Sequence, residues 1–180
     1  MALKSTIFKV ELTVSDLDRG HFETHALTIA RHPSETDERM MVRLLAFALN
    51  ADERLAFGRG LSSEGEADLC LADRTGAIDL WIDVGLPDER DVRKASGRAD
   101  RVAVYTYGTG SERWWKQNAA AMERIANVAV VEFPIETTRA MAARAARNMK
   151  LQCTIQDGHV WLADDDVSLA IEPLVRKAAA

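Results

Sequence analysis

EADLCLADRTGAIDLWIDVGLPDERDVRK, residues 66–94, decides the fold. It reads as two short strands, Ala67 to Ala72 and Ala77 to Val84, around the turn Asp73-Arg74-Thr75-Gly76. With Ala72 paired to Ala77, Leu71 faces Ile78 and Leu69 faces Leu80. Together with Ile82 and Val84 they make one apolar face. Glu66, Asp68, Asp79, Trp81 and Asp83 then share the other face. A one-residue slip would scramble the apolar face too, so the hydrophobic pattern supports this register. Carboxylates gathered on one face repel each other unless they are solvated, paired with a cation or holding a metal. Asp68 and Asp83 sit diagonally across the strand pair, within reach of one hard cation such as Mg2+ or Mn2+. A solvated polar face is the plain alternative, against which Trp81 in its middle argues for partial cover.

Downstream, Pro87 stops the second strand and Asp88 is the N-cap candidate of a helix. Val92, Ala95 and Ala99 are its inner positions, which leaves Arg90, Lys94 and Arg98 on a flank. That flank is either a solvated charged face or a set of cations beside the acids. Upstream, Ser34 is the N-cap candidate of a helix running to about Leu49, with Asp37 in a short capping box. Its apolar stripe is Met41, Val42, Leu45, Ala48 and Leu49, and stepping back along it reaches Glu38 and then Glu35. These acids either complement the helix dipole or point a carboxylate at the sheet.

Farther out, Ile7 to Val14 alternates as a half-buried strand, and His21 to Ala30 returns beside it. His21 and His25 read first as strand-surface histidines, with a ligand role as the rarer reading. Leu55 to Leu61 reads as a short strand or loop and Ser62 to Gly65 as a loop. After the hairpin come a strand at Arg101 to Tyr107 and a helix capped by Ser111 and running to about Ala126. A strand at Val128 to Phe133 and a helix from Thr137 to about Met149 follow. Leu151 to Gln156 and His159 to Ala163 flank Asp157-Gly158, a type I′ hairpin signal. A short strand at Leu169 to Ile171 precedes a tail, Arg176 to Ala180, expected to fray. The order implies an α/β fold with a mixed central sheet flanked by helices and with antiparallel hairpins added at both ends.

At 180 residues and 47% hydrophobic, one core and a single domain over 1–180 are expected. The net charge of −5 argues against a chain coated in basic charge for non-specific nucleic-acid binding, though not against a local basic groove. Cys70 and Cys153 offer neither a disulfide framework nor a zinc-finger ligand set. No stretch approaches the roughly 20 apolar residues of a membrane span, and the N-terminus has no signal-length apolar run, so a cytoplasmic protein with no membrane association is expected.

Four segments carry a family resemblance: ARHPSETDERMMVRLL (residues 30–45), ADERLAFGRGL (51–61), GAIDLWIDVGLPDERDVRKA (76–95) and LQCTIQDGHVWLADD (151–165). They resemble the YaeQ family, which is similar in fold to the PD-(D/E)xK nucleases, a restriction-endonuclease-like core of mixed sheet and flanking helices. The resemblance implies a nuclease-like site with Mg2+ or Mn2+ held by Asp68 and Asp83, joined by Glu38 or, second, Glu35 from the preceding helix. That superfamily carries a lysine two residues after the second acid, where this chain has Gly85. The resemblance lets Lys94 from the next helix stand in, with Arg90 as competitor.

The expectation is therefore a metal-dependent nuclease-like protein acting on nucleic-acid phosphodiesters, with Asp68, Asp83, Lys94 and Glu38 at the site. The basic clusters Arg90 to Arg101 and Arg139 to Lys150 would supply the approach path. The alternative is a non-catalytic binding module of the same fold with a protein or nucleic-acid partner. A hydrolase of small phosphates ranks below both. A monomer is favoured.

Overall fold

The computed structural model describes residues 3–59 and 65–180. Eleven strands and four helices follow one another among these residues: β1 (Thr6–Asp16), β2 (His21–Arg31), α1 (Asp37–Leu49), β3 (Leu55–Phe57), β4 (Leu69–Ala72), β5 (Ile78–Val84), α2 (Glu89–Ser96), β6 (Ala99–Thr106), α3 (Ser111–Glu123), β7 (Val128–Glu132), α4 (Ile135–Ala143), β8 (Asn148–Gln156), β9 (His159–Ala163), β10 (Ser168–Ile171) and β11 (Leu174–Lys177). The loop expected at Ser62 to Glu64 lies outside the described residues, as does the end of the strand or loop expected at Leu55 to Leu61.

The fold is mixed α/β, but it holds two mixed sheets where one central sheet was expected. One runs β10-β9-β8-β1-β2 and the other β11-β7-β6-β5-β4-β3. The N- and C-terminal hairpins do not extend the central sheet. They join each other through a parallel pairing of β1 with β8, Lys9 beside Asn148 to Asp16 beside Ile155. The physical reason is burial. Phe8, Val10, Leu12 and Val14 of β1 and Leu151, Cys153 and Ile155 of β8 pack into one apolar cluster, which also takes in Leu69, Leu80 and Ile82 of the second sheet.

Helix α1 lies in that cluster, with every residue from Met40 to Ala48 buried. A helix apolar on nearly all sides is stable only inside a core. The opposite face of the six-stranded sheet carries a second cluster, in which Trp81, Val102 and Val104 meet Val92 of α2 and Trp114 and Met122 of α3. The parallel β5-β6-β7 crossovers through α2 and α3 match the expected strand–helix order.

Local signals were partly legible. Asp157 and Gly158 both take positive φ, 52° and 76°, as a type I′ turn requires. Asp88 caps α2 through the Arg90 N–H at 2.8 Å. The cap of α1 is Thr36 rather than Ser34, its hydroxyl accepting from the Arg39 N–H at 3.1 Å. Gly110 precedes α3, which leaves Ser111 as its first helical residue. Helix α4 ends at Ala143, because Asn148 and Met149 are already paired in β8. Arg176 and Lys177 do not fray. They belong to β11, where Arg176 pairs with Glu132 and Lys177 donates to the Val128 carbonyl at 2.6 Å.

Candidate functional site

The hairpin keeps the expected faces except at Ile78, which packs against the second cluster instead of the inner one, and it does not keep the expected register. Leu69 pairs with Ile82 and Leu71 with Leu80, two residues along from the expectation, and the ladder shifts between Leu71 and Ala72. A two-residue slide preserves which side each residue points to. Leu69, Leu71, Leu80, Ile82 and Val84 accordingly remain together in the inner core.

The slide brings the two acids closer than a diagonal. Asp68 stands just before β4. Its N–H donates to the Ile82 carbonyl at 2.9 Å, and its Oδ2 accepts from the Val84 N–H at 2.7 Å. Backbone and side chain of Asp68 thus grip β5 on either side of Asp83. The other oxygen, Oδ1, accepts from Arg39 of α1 at 2.6 Å, with both side chains nearly buried.

Asp83 accepts from the Trp81 indole N–H at 2.9 Å, as same-face neighbours two residues apart on a strand can. Arg98 covers the indole with its guanidinium carbon 4.9 Å from the ring centroid. Burial pushes the Asp83 carboxyl up to about 7. The Trp81 bond and Arg39 oppose that shift, while the charges of Asp68 and Asp91 add to it. Asp83 is thus a carboxylate short of positive charge.

Arg39 has the opposite balance, one cation between two carboxylates. Burial works against its charge, but Asp68 and Glu35 together raise its pKa above the ordinary value. It donates to Glu35 at 3.0 Å, to Asp68, and to the Val84 carbonyl at 3.2 Å. Glu35 in turn takes two bonds of 2.8 Å from Arg43, and both of those side chains are fully buried. An unbroken line of charge-assisted bonds therefore runs from the core, through Arg43, Glu35 and Arg39, to Asp68.

The outer end of that line opens onto a cleft of about 1040 Å3 between the hairpin and α2. Asp68, Asp83, Trp81 and Arg39 line its base, while Arg90, Arg93, Lys94 and Arg98 bring positive charge to its wall. Lys94 is well exposed and sits 3.6 Å from Asp91. Arg93 pairs with Glu89. Arg90 has no ion pair among the described residues. Glu38 does not line the cleft. Its Oε1 accepts from the Thr138 hydroxyl of α4 at 2.8 Å. Asp79 faces Arg54 at 3.4 Å instead.

The family model described as YaeQ protein matches residues 1–173. The chain belongs to the YaeQ family. It is 48% identical over 172 residues to YaeQ of Escherichia coli (strain K12), covering 95% of each chain. With YaeQ of Salmonella typhi it shares 47% over 173 residues, 96% of each. The crystal structure of YaeQ from Xanthomonas axonopodis pv. citri superposes with a TM-score of 0.94 at 51% identity, over 97% of this chain and 99% of that one. YaeQ from Pseudomonas syringae gives 0.93 at 37%, over 97% of both.

In this chain Gly85 takes φ +113° and donates its N–H to the Tyr105 carbonyl at 2.9 Å. A side chain there would meet nothing within 4 Å, so glycine is required by the backbone and not by crowding. A lysine at residue 85 would be strained, and the cation beside the acids comes from α1 instead. Sequence reasoning had passed over Arg39, but a signal existed. Glu35, Arg39 and Arg43 are spaced four apart, the interval at which helix side chains meet.

Proposed function

We propose that the hairpin cleft is a metal-dependent phosphodiester-cleaving site of the PD-(D/E)xK type, acting on nucleic acid. The observation that supports this most is the grip of Asp68 on both sides of Asp83, which sets two carboxylates side by side at the base of a cleft walled by cations. The donor set fits a hard cation. Mg2+ characteristically takes one or two carboxylates and completes its shell with water and substrate phosphate. Asp83, poised near neutral pH with no ion pair among the described residues, is the acid that gains most from one. Asp68 and Asp83 would hold the ion, which supplies charge neutralisation at the phosphate and an acidified water. Glu38, bonded to Thr138, leaves the ligand set unless that bond opens.

The chain's own residues do the rest. Arg39 fixes the Asp68 carboxylate and offers a guanidinium where the usual lysine is missing, matched to phosphate oxygens. Arg90, Lys94 and Arg98 carry the strand's phosphates along the cleft wall, with Lys94 free to swing because its ion pair with Asp91 is exposed.

The ion pair of Arg39 with Asp68 also favours the second reading, a binding module in which the guanidinium permanently fills the cation's place. Incubation with single- and double-stranded DNA and RNA separates the two. The first reading expects Mg2+- or Mn2+-dependent cleavage that disappears in Asp83→Ala. Cleavage equal in both preparations, or in neither, refutes it.

A further inference from the structure

Strand β2 breaks the alternation that its partner keeps. On the face where β1 buries Leu12, Val14 and Asp16, the residues of β2 directly opposite are His25, Glu23 and His21. Leu27 and Ile29 resume the apolar pattern farther along, packed with the inner core. Of these three metal-ligating side chains in succession, His25 is buried, His21 partly so and Glu23 half exposed, so they stand where the core meets solvent.

Their geometry indicates a partner. Residues four apart on a strand are separated by about 13 Å. Yet the Nε2 atoms of His21 and His25 approach to 3.1 Å, and their rings stack with centroids 5.3 Å apart. Both imidazoles therefore lean inward over Glu23, whose Oε2 is 3.7 Å from His21 Nε2. One ligand atom from each residue falls within 4.8 Å of the other two. Two nitrogens on a tetrahedral zinc, each at about 2.0–2.1 Å from the ion, stand about 3.3 Å apart. The imidazole pair already has that bite. A hydrogen bond between the two rings explains their contact but gives Glu23 no part. His25 is held from behind by Phe47 of α1, edge-on at 5.2 Å.

We propose that His21, Glu23 and His25 bind a divalent transition-metal ion of the zinc type, at a site separate from the acid pair of the hairpin. Two imidazoles and one carboxylate suit Zn2+, Co2+ or Ni2+ and discriminate against Mg2+. Three protein ligands leave a fourth position for water, the arrangement of an open site and not of a closed structural one. Glu23 is half exposed and His21 partly so, which leaves that position open to solvent.

The test is titration of the full chain with Co2+, followed by the visible absorption of the four-coordinate ion. The site predicts one equivalent bound, displaced by Zn2+ and not by excess Mg2+. His21→Ala and Glu23→Gln, at side chains 22% and 50% exposed, leave the core intact and should each weaken binding about tenfold or more. The Asp83→Asn variant and the double variant His32→Ala/His159→Ala should bind Co2+ as the natural chain does. Unchanged affinity in His21→Ala and Glu23→Gln overturns the proposal. So does a loss that follows Asp83 or the other two histidines, or no binding at millimolar Co2+.

Discussion

The Arg39 guanidinium sits 2.6 Å from the Asp68 carboxylate and 3.2 Å from the Val84 carbonyl, so one cation of helix α1 joins both strands of the hairpin. That cation fixes the Asp68 carboxylate in the lining of the cleft.

Arg39→Ala removes bonds to two carboxylates, Glu35 and Asp68. Hydrogen bonds to charged groups contribute about 1.5–3 kcal/mol, and this variant should lose stability on that scale in urea unfolding. Arg39→Lys should recover less than half, because an ammonium lacks the planar fork that reaches three acceptors at once. Full recovery by lysine would show that charge alone matters here.

The Glu35–Arg43 pair is fully buried and tests a different balance. Removing Arg43 leaves Glu35 in the core with the Arg39 bond alone, and Arg43→Met should cost somewhat less than the about 3–5 kcal/mol of a wholly unpaired buried charge. The double variant Glu35→Leu/Arg43→Met should regain most of that, since a desolvated pair and a packed apolar pair are close in energy. A double variant no better than the single one would mean that Arg39 depends on Glu35 more than the geometry implies.

Asp83 gives a pH signature. Its folded-state pKa of about 7 lies above the unfolded value of about 3.9, so the native state binds the extra proton between these limits. Stability should therefore fall as pH rises from about 4 to about 7 and level off above. Asp83→Asn should remove that slope and melt higher than the natural chain at pH 8 without metal, with the difference vanishing below about pH 4. Trp81→Phe deletes the donor that opposes the shift, so the Asp83 carboxyl, followed by NMR, should titrate higher still.

Gly85→Ala should cost about 1–2 kcal/mol from its positive φ alone, because open space surrounds the position. Gly85→Lys, which would supply the lysine of the proposed nuclease-type motif, should cost at least as much. Either variant as stable as the natural chain would contradict the backbone explanation for the missing lysine.

The sequence made the hairpin faces readable because period-2 alternation survives a two-residue slide. It hid the register, because the shift between Leu71 and Ala72 lies in backbone geometry and not in residue type. Asp68 and Asp83 were legible as same-face acids, whereas Glu38 was singled out by its inward helix stripe and by the family resemblance. Thr138, exactly one hundred residues along at the bonded hydroxyl, is a contact no local pattern reveals. The same limit hid the second sheet. Pairing of Lys9 with Asn148 depends on the packing of both strands over α1, and either hairpin alone reads as complete. Strand β11 was missed because its basic residues resemble a tail until Glu132 and the Val128 carbonyl receive them.

The central claim is that Asp68 and Asp83 together hold a hard divalent ion. Mn2+ titration followed by the electron paramagnetic resonance of the free ion tests it most directly, in a His21→Ala background that removes the β2 site. The account predicts one bound equivalent that disappears in Asp83→Asn while the fold persists by circular dichroism. Equal binding by both proteins, or none at millimolar Mn2+, would contradict it.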